Sequence, residues 1–66
     1  MKCYFVLTFL NKSGTEQIEN KSKDIPKVDE TIIIGDQEYR VFHITTNYDS
    51  HVKYVMCKPE QGYLNS

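Results

Sequence analysis

Thr31 to Thr46, T-I-I-I-G-D-Q-E-Y-R-V-F-H-I-T-T, decides the fold of this chain. Ile32 to Ile34 and Tyr39 to Ile44 are β-branched or aromatic at most positions, and Gly35-Asp36 between them is a two-residue turn signal. The stretch reads as a β-hairpin, and a loop led by Gly suits a II′ turn, whose twist matches that of its strands. Parity raises one difficulty within the second strand. Tyr39 and Val41 share a face, whereas Phe42 and Ile44 fall on the opposite one. An extra residue near Phe42 and His43 would re-aim the later side chains, so a β-bulge is expected there.

Upstream, Lys21 to Glu30 is a polar connection with Pro26 near its middle. Pro26 lacks an amide donor and disfavours helix at Ile25, so the segment is expected to run extended, pinned by Ile25 and Val28 tucked inward. Thr15 to Asn20, T-E-Q-I-E-N, is polar apart from Ile18 and suits an edge strand, with a short helix capped by Ser13 as its rival. Asn11-Lys12-Ser13-Gly14 supplies the turn before it, with Gly14 fit for positive φ. The first strand then spans Lys2 to Leu10, with Cys3, Phe5, Leu7 and Phe9 on one side and Tyr4, Val6, Thr8 and Leu10 on the other. Two apolar faces imply a central strand covered on both sides.

Downstream, Asn47-Tyr48-Asp49-Ser50 is a second turn, and His51 to Lys58 is the last strand. These elements amount to an all-β fold: a small five-stranded antiparallel barrel, SH3-like or OB-like, or a strongly curled sheet. The expected organisation is one β-domain over 1–58 and a C-terminal tail over 59–66, docked through Tyr63 and Leu64 if it is ordered.

At 66 residues there is room for one core. A chain of this size buries only about 60% of its unfolded surface, so a second copy covering an apolar face is a natural source of stability. Tyr4, Val6 and Leu10 are the candidate self-association residues. The net charge of −1 offers no basic field for a phosphate backbone, which disfavours nucleic acid. No run approaches the ~18 apolar residues of a membrane span. Lys2 followed by Cys3 to Leu10 has the outline of a secretory signal, but Asn11, Lys12 and Ser13 stand where a small-residue cleavage site would be. The expectation is a mature cytoplasmic protein. Alanine is absent and arginine occurs once, while Lys, Ile, Asn and Tyr abound, a usage that points to an AT-rich genome.

No catalytic constellation is apparent, and neither a cofactor nor a metal is expected. Cys3 and Cys57 sit in the first and last strands; a disulfide between them would close a long loop, but reduced, buried thiols fit an intracellular chain better. With His43 and His51 they match no metal-ligand spacing. Asp29, Glu30, Asp36 and Glu38 flank turns, as solvated carboxylates do. A pocket of ~300 Å³ is also more than a chain this small is expected to enclose, so an enzyme is not expected.

The residues that suit recognition are aromatic and basic: Arg40, His43, Tyr48, His51, Lys53 and Tyr54. Tyr and Arg anchor protein interfaces, and the same residues can stack single-stranded bases and meet phosphates. Near-zero net charge favours a protein partner, or self, over nucleic acid. A small-ligand sequestering oligomer is a third alternative, with its pocket formed between subunits.

P-K-V-D-E-T-I-I-I-G-D-Q-E-Y-R-V, starting at Pro26, resembles a recurring piece of small all-β accessory proteins of phages, mobile elements and AT-rich bacteria. The resemblance runs from Pro26 to about Ile44 and is structural, so it carries over no functional residue. It implies a protein that works by binding, often to block a host or defence component.

Overall fold

The computed structural model describes residues 2–9 and 13–60. Five strands form one sheet: β1 (Lys2–Thr8), β2 (Thr15–Glu19), β3 (Thr31–Ile34), β4 (Gln37–Asn47) and β5 (Val52–Pro59). Their spatial order is β2-β1-β5-β4-β3, and the sheet curls into a half-barrel. The all-β expectation of a strongly curled sheet holds. One pairing departs from antiparallel: β1 and β5 run parallel, Cys3 beside Lys53 and Leu7 beside Cys57, which makes the sheet mixed. The segment from residue 20 to 30 causes this, because it carries the chain from one sheet edge to the other and two hairpins then return β5 to the side of β1.

The β3–β4 hairpin turns at Gly35-Asp36 as expected, but in a different turn type. Gly35 has φ of 59° and Asp36 φ of 69°. Two successive positive φ values define a I′ turn rather than II′, and Asp, like Asn, tolerates the left-handed region at modest cost. Gly14, at φ of 102°, adopts the positive φ its turn requires.

The expected bulge lies between Val41 and His43. Val41 pairs with Cys57 and His43 with Met56, so Phe42 is the extra residue. Skipping it returns Ile44 to the side of Tyr39 and Val41, and all three pack into one core. Phe42 is left 42% exposed. A bulge also bends its strand and increases local twist, and here it sits in the longest strand, where bending curls the sheet.

The core lines the concave face. Cys3 and Leu7 of β1, Val55 and Cys57 of β5, and Tyr39 and Val41 of β4 are buried there. Phe5, Ile18, Ile32 and Ile34 extend it towards both edges. β1 is an interior strand, as its two apolar faces imply. Its outer side is covered within the chain: Val6 is buried, and the Tyr4 ring stacks on Tyr54 with centroids 6.2 Å apart. β2 is a polar edge strand rather than a helix.

Residues 20–30 are pinned differently from the sequence expectation. Ile25 and Val28 do not tuck inward; they are 44% and 50% exposed. Polar groups fix the segment instead. The Asn20 Oδ1 accepts from the Ser22 amide at 2.9 Å, the Asn20 Nδ2 donates to the Asp24 carbonyl at 3.0 Å, and the Ser22 Oγ accepts from the Asp24 amide at 2.9 Å. At the far end the Glu30 carboxylate accepts from the Lys27 amide, and Val41 exchanges backbone bonds with Asp29 and Glu30. Once side chains hold both ends, the two apolar residues between them are free to face solvent.

Candidate functional site

The mouth of the half-barrel is an open groove of about 480 Å³. Phe5 and Ile32 to Ile34 form its apolar side, and Ile25 and Pro26 close over it from the connecting segment. The charged side chains that line it are Asp24 and Glu30. Asn20 and Ser22 also line it, whereas Lys21, Lys23 and Lys27 of the same segment do not, so the lining has an apolar side along β3 and a polar, acidic side along the connecting segment. This space is a groove open to solvent and not an enclosed pocket, so a single chain shapes a surface of ligand size without enclosing it.

One wall of the groove is the free edge of β3. Ile34 pairs with Gln37 next to a two-residue turn, so that pair exchanges hydrogen bonds; the ladder then alternates through Ile33–Glu38, Ile32–Tyr39 and Thr31–Arg40. The alternation turns the amide and carbonyl groups of Ile32 and Ile34 towards β4, and those of Thr31 and Ile33 towards the open edge. Ile33 is 67% exposed, and with Ile25 and Val28 it is one of the exposed large aliphatic side chains among the described residues.

The other edge of the sheet is protected. β2 carries Glu16 opposite Leu7, on the core side, and Glu19 opposite Tyr4, on the outer side. Charges on an edge strand, above all inward-pointing ones, discourage pairing with another chain. The T-I-I-I of β3 has no such guard within it, although Asp29, Glu30 and Asp36 stand just beyond its ends.

The aromatic and basic residues singled out from the sequence fall in three places. Arg40, His43 and Tyr54 share the outer face with Tyr4, Phe42 and Lys58. Lys53 is on the opposite face, beside Cys3 and Thr46, where its Nζ donates to the Thr46 hydroxyl at 2.8 Å. Tyr48 and His51 belong to the β4–β5 turn, where Asn47 Oδ1 accepts from the Asp49 and Ser50 amides and His51 has φ of 60°. Arg40 is already engaged: its Nη2 lies 2.7 Å from the Glu60 carboxylate, and that contact holds the guanidinium above its ordinary pKa. Lys58 Nζ lies 5.8 Å from the Phe42 ring centroid. Of the self-association candidates, Tyr4 and Val6 lie together on the outer face, and Leu10 falls outside the described residues, as do Tyr63 and Leu64.

Both thiols are free and buried. They occupy neighbouring strands but sit four register positions apart, about 13 Å along the strand at ~3.3 Å per residue, beyond the Cα separation of a disulfide. Burial pushes the Cys57 thiol up to about 11, and the Cys3 thiol adds to the shift. A thiol so placed is neither a nucleophile nor a ready metal ligand near neutral pH. Among the described residues no three His, Cys, Asp or Glu side chains gather as a metal site would require. No helix among them is long and apolar enough to cross a membrane.

The groove and the β3 edge were not among the residues singled out from the sequence. Their signal was present in the asymmetry between a charged T-E-Q-I-E and an uncharged T-I-I-I. Recognising it required knowing that both strands are edges. Comparison with known proteins finds no matching family model, and no curated protein or solved structure that matches significantly.

Proposed function

We propose that the chain is a non-enzymatic protein-interaction module of the cytoplasm that binds through the groove beside β3. The observation that carries this reading is a convergence: exposed Ile25 and Ile33 line one groove with Phe5, Ile32 and Ile34, and that groove runs beside an open strand edge. Contiguous apolar surface of this kind marks interaction sites. Self-association through Tyr4 and Val6 has less to draw on, because Val6 is only 6% exposed and Tyr4 is stacked on Tyr54. The resemblance to small accessory proteins of phages and mobile elements fits a module that blocks a host or defence protein by occupying one of its surfaces.

A second reading has one observation in its favour. Tyr4, Tyr54, Phe42 and Lys58 share a sheet face, the arrangement on which single-stranded bases stack. Against it, the Tyr rings stack on each other, Arg40 is neutralised by Glu60, and Lys53 lies on the far side.

Photo-crosslinking separates the two. A photoreactive residue is placed at Ile25 in one variant and at Tyr54 in another, and each is irradiated in extract of a low-GC bacterium. The expected result is a protein adduct at position 25 that excess wild-type chain competes away, with none at 54. A nuclease-sensitive adduct at 54 and no competable protein adduct at 25 would overturn the reading.

A further inference from the structure

We propose that the occupant of the groove is an extended segment of another protein, added to the free edge of β3 as a sixth strand, with alternate apolar side chains in the groove and a basic residue at its ends. The inference rests on the interaction-module reading and adds to it the conformation and chemistry of the partner. Three features of the structure specify them.

The first is backbone geometry. Thr31 and Ile33 turn two amides and two carbonyls to the open edge, and only another extended backbone matches such groups at the spacing of a strand. The second is the position of the cavity. Its lining includes Ile33 as well as Ile32 and Ile34, so the groove runs beside the edge itself rather than behind it. A strand paired to β3 would direct every second side chain to the side of Ile32 and Ile34, against Ile25, Pro26 and Phe5, and the remainder past Ile33 into solvent. The third is charge. Asp24 and Glu30 line the groove, and Asp29 and Asp36 lie beyond the two ends of β3.

The same charges argue against a second copy of this chain as the occupant. Antiparallel pairing of β3 with its own copy gathers acids: with Ile33 opposite Ile33, Glu30 of each chain faces Asp36 of the other, and with Thr31 opposite Ile33, Asp29 faces Gly35, the neighbour of Asp36. Like charges across a strand pair are destabilising. A segment with Lys or Arg at its ends makes the opposite contact. The contrast with β2 agrees, since the edge that is not used carries Glu16 and Glu19 and the proposed edge carries no charge.

The probe is a library of random 12-residue peptides displayed on phage and selected against the whole protein, with the best sequence then synthesised. Selected peptides are expected to alternate apolar and polar residues over four or five positions, with Lys or Arg flanking them. N-methylation of the synthetic peptide, one residue at a time, should weaken binding at least tenfold at every second position and little between. Ile33→Pro removes the edge-facing amide without touching the bonds to β4, and should weaken binding at least tenfold, whereas Ile33→Thr, which keeps that amide, should change it less than Ile33→Pro. The N-methyl series keeps the test valid if Ile33→Pro fails to fold. Peptides that bind with no two-residue period in the N-methyl series would overturn strand addition and leave the interaction module standing. Failure to select any peptide, together with a chain mass that doubles in the wild type and not in Ile33→Pro, would identify a second copy as the occupant and overturn the inference. No peptide, no doubling and no competable adduct at position 25 would overturn both.

Discussion

Replacing Leu7 by alanine is expected to remove a large share of the chain's stability at 25 °C. Leu7 is 2% exposed and packs in the concave core with Cys57, its parallel neighbour on β5. Truncating a buried Leu to Ala costs about 2–5 kcal/mol through lost transfer energy and the cavity left behind. A 66-residue domain has only about 3–10 kcal/mol to lose. The described structure is a single curled layer, and its buried concave cluster holds six side chains. Urea unfolding followed by circular dichroism would show the loss as a collapse of the transition midpoint. Val6→Ala is the informative companion. Val6 is nearly as buried at 6% exposed, but lies on the outer face beside Met56 and outside the concave cluster, where solvent is near a missing methyl pair. It should cost about 1 kcal/mol. Equal losses from the two substitutions would contradict a core confined to the concave side.

The second large effect is loss of stability in alkali. Cys57 is fully buried, and desolvation, with Cys3 adding, raises its thiol from 9.0 to about 11 in the folded chain. Between those values the unfolded chain releases the Cys57 proton while the folded chain retains it, so the unfolded state is favoured as pH rises. The contribution is fully present below about pH 9 and is lost progressively up to about pH 11. A shift of two units corresponds to about 2–3 kcal/mol. Lysines and tyrosines titrate in the same range, so the measurement is a difference: urea stability of the wild type and of Cys57→Val at pH 8 and pH 10.5. The wild type should lose about 2 kcal/mol more than Cys57→Val over that interval, most of the full difference, which is reached only above about pH 11. Parallel losses would mean that Cys57 ionises as readily folded as unfolded.

Much of the fold was legible because parity and polarity are local properties. Phe42 and Ile44 sat on the wrong face for Tyr39 and Val41, and a single bulge resolves the conflict and bends β4. The polar T-E-Q-I-E implied an edge, and the two-sided apolar first strand implied an interior position; the sheet order gives both. Long-range relations were hidden. Nothing in residues 2–8 or 52–59 states that they run parallel, since that follows from a crossover whose path is set by Asn20, Ser22 and Glu30. Those polar pins also reversed the expected roles of Ile25 and Val28, because an apolar residue in a loop need not be buried when hydrogen bonds already hold the loop. The II′ turn became I′ because Asp36 accepts a positive φ that sequence reasoning reserved for Gly.

The candidate site was less legible for the same reason. Arg40, His43 and Tyr54 share a face, but the alternation within β5 sends Lys53 to the other side of the sheet from Tyr54. The Arg40 charge is met by Glu60, a residue the sequence had assigned to the tail. Composition could mark aromatic and basic residues as a recognition set. It could not show that the open edge and the groove are formed by a T-I-I-I strand whose sequence alone looks like ordinary core.

The proposed strand addition requires that β3 present a free edge until a partner strand fills it. Amide hydrogen exchange, read residue by residue by NMR at low protein concentration, tests it most directly. In the free chain the Ile32 and Ile34 amides, bonded to β4, should exchange slowly, and the Thr31 and Ile33 amides should exchange at least tenfold faster; adding the selected peptide should slow Thr31 and Ile33 together. Slow exchange at Thr31 and Ile33 in the free monomer, or peptide binding that leaves both fast, would contradict the account.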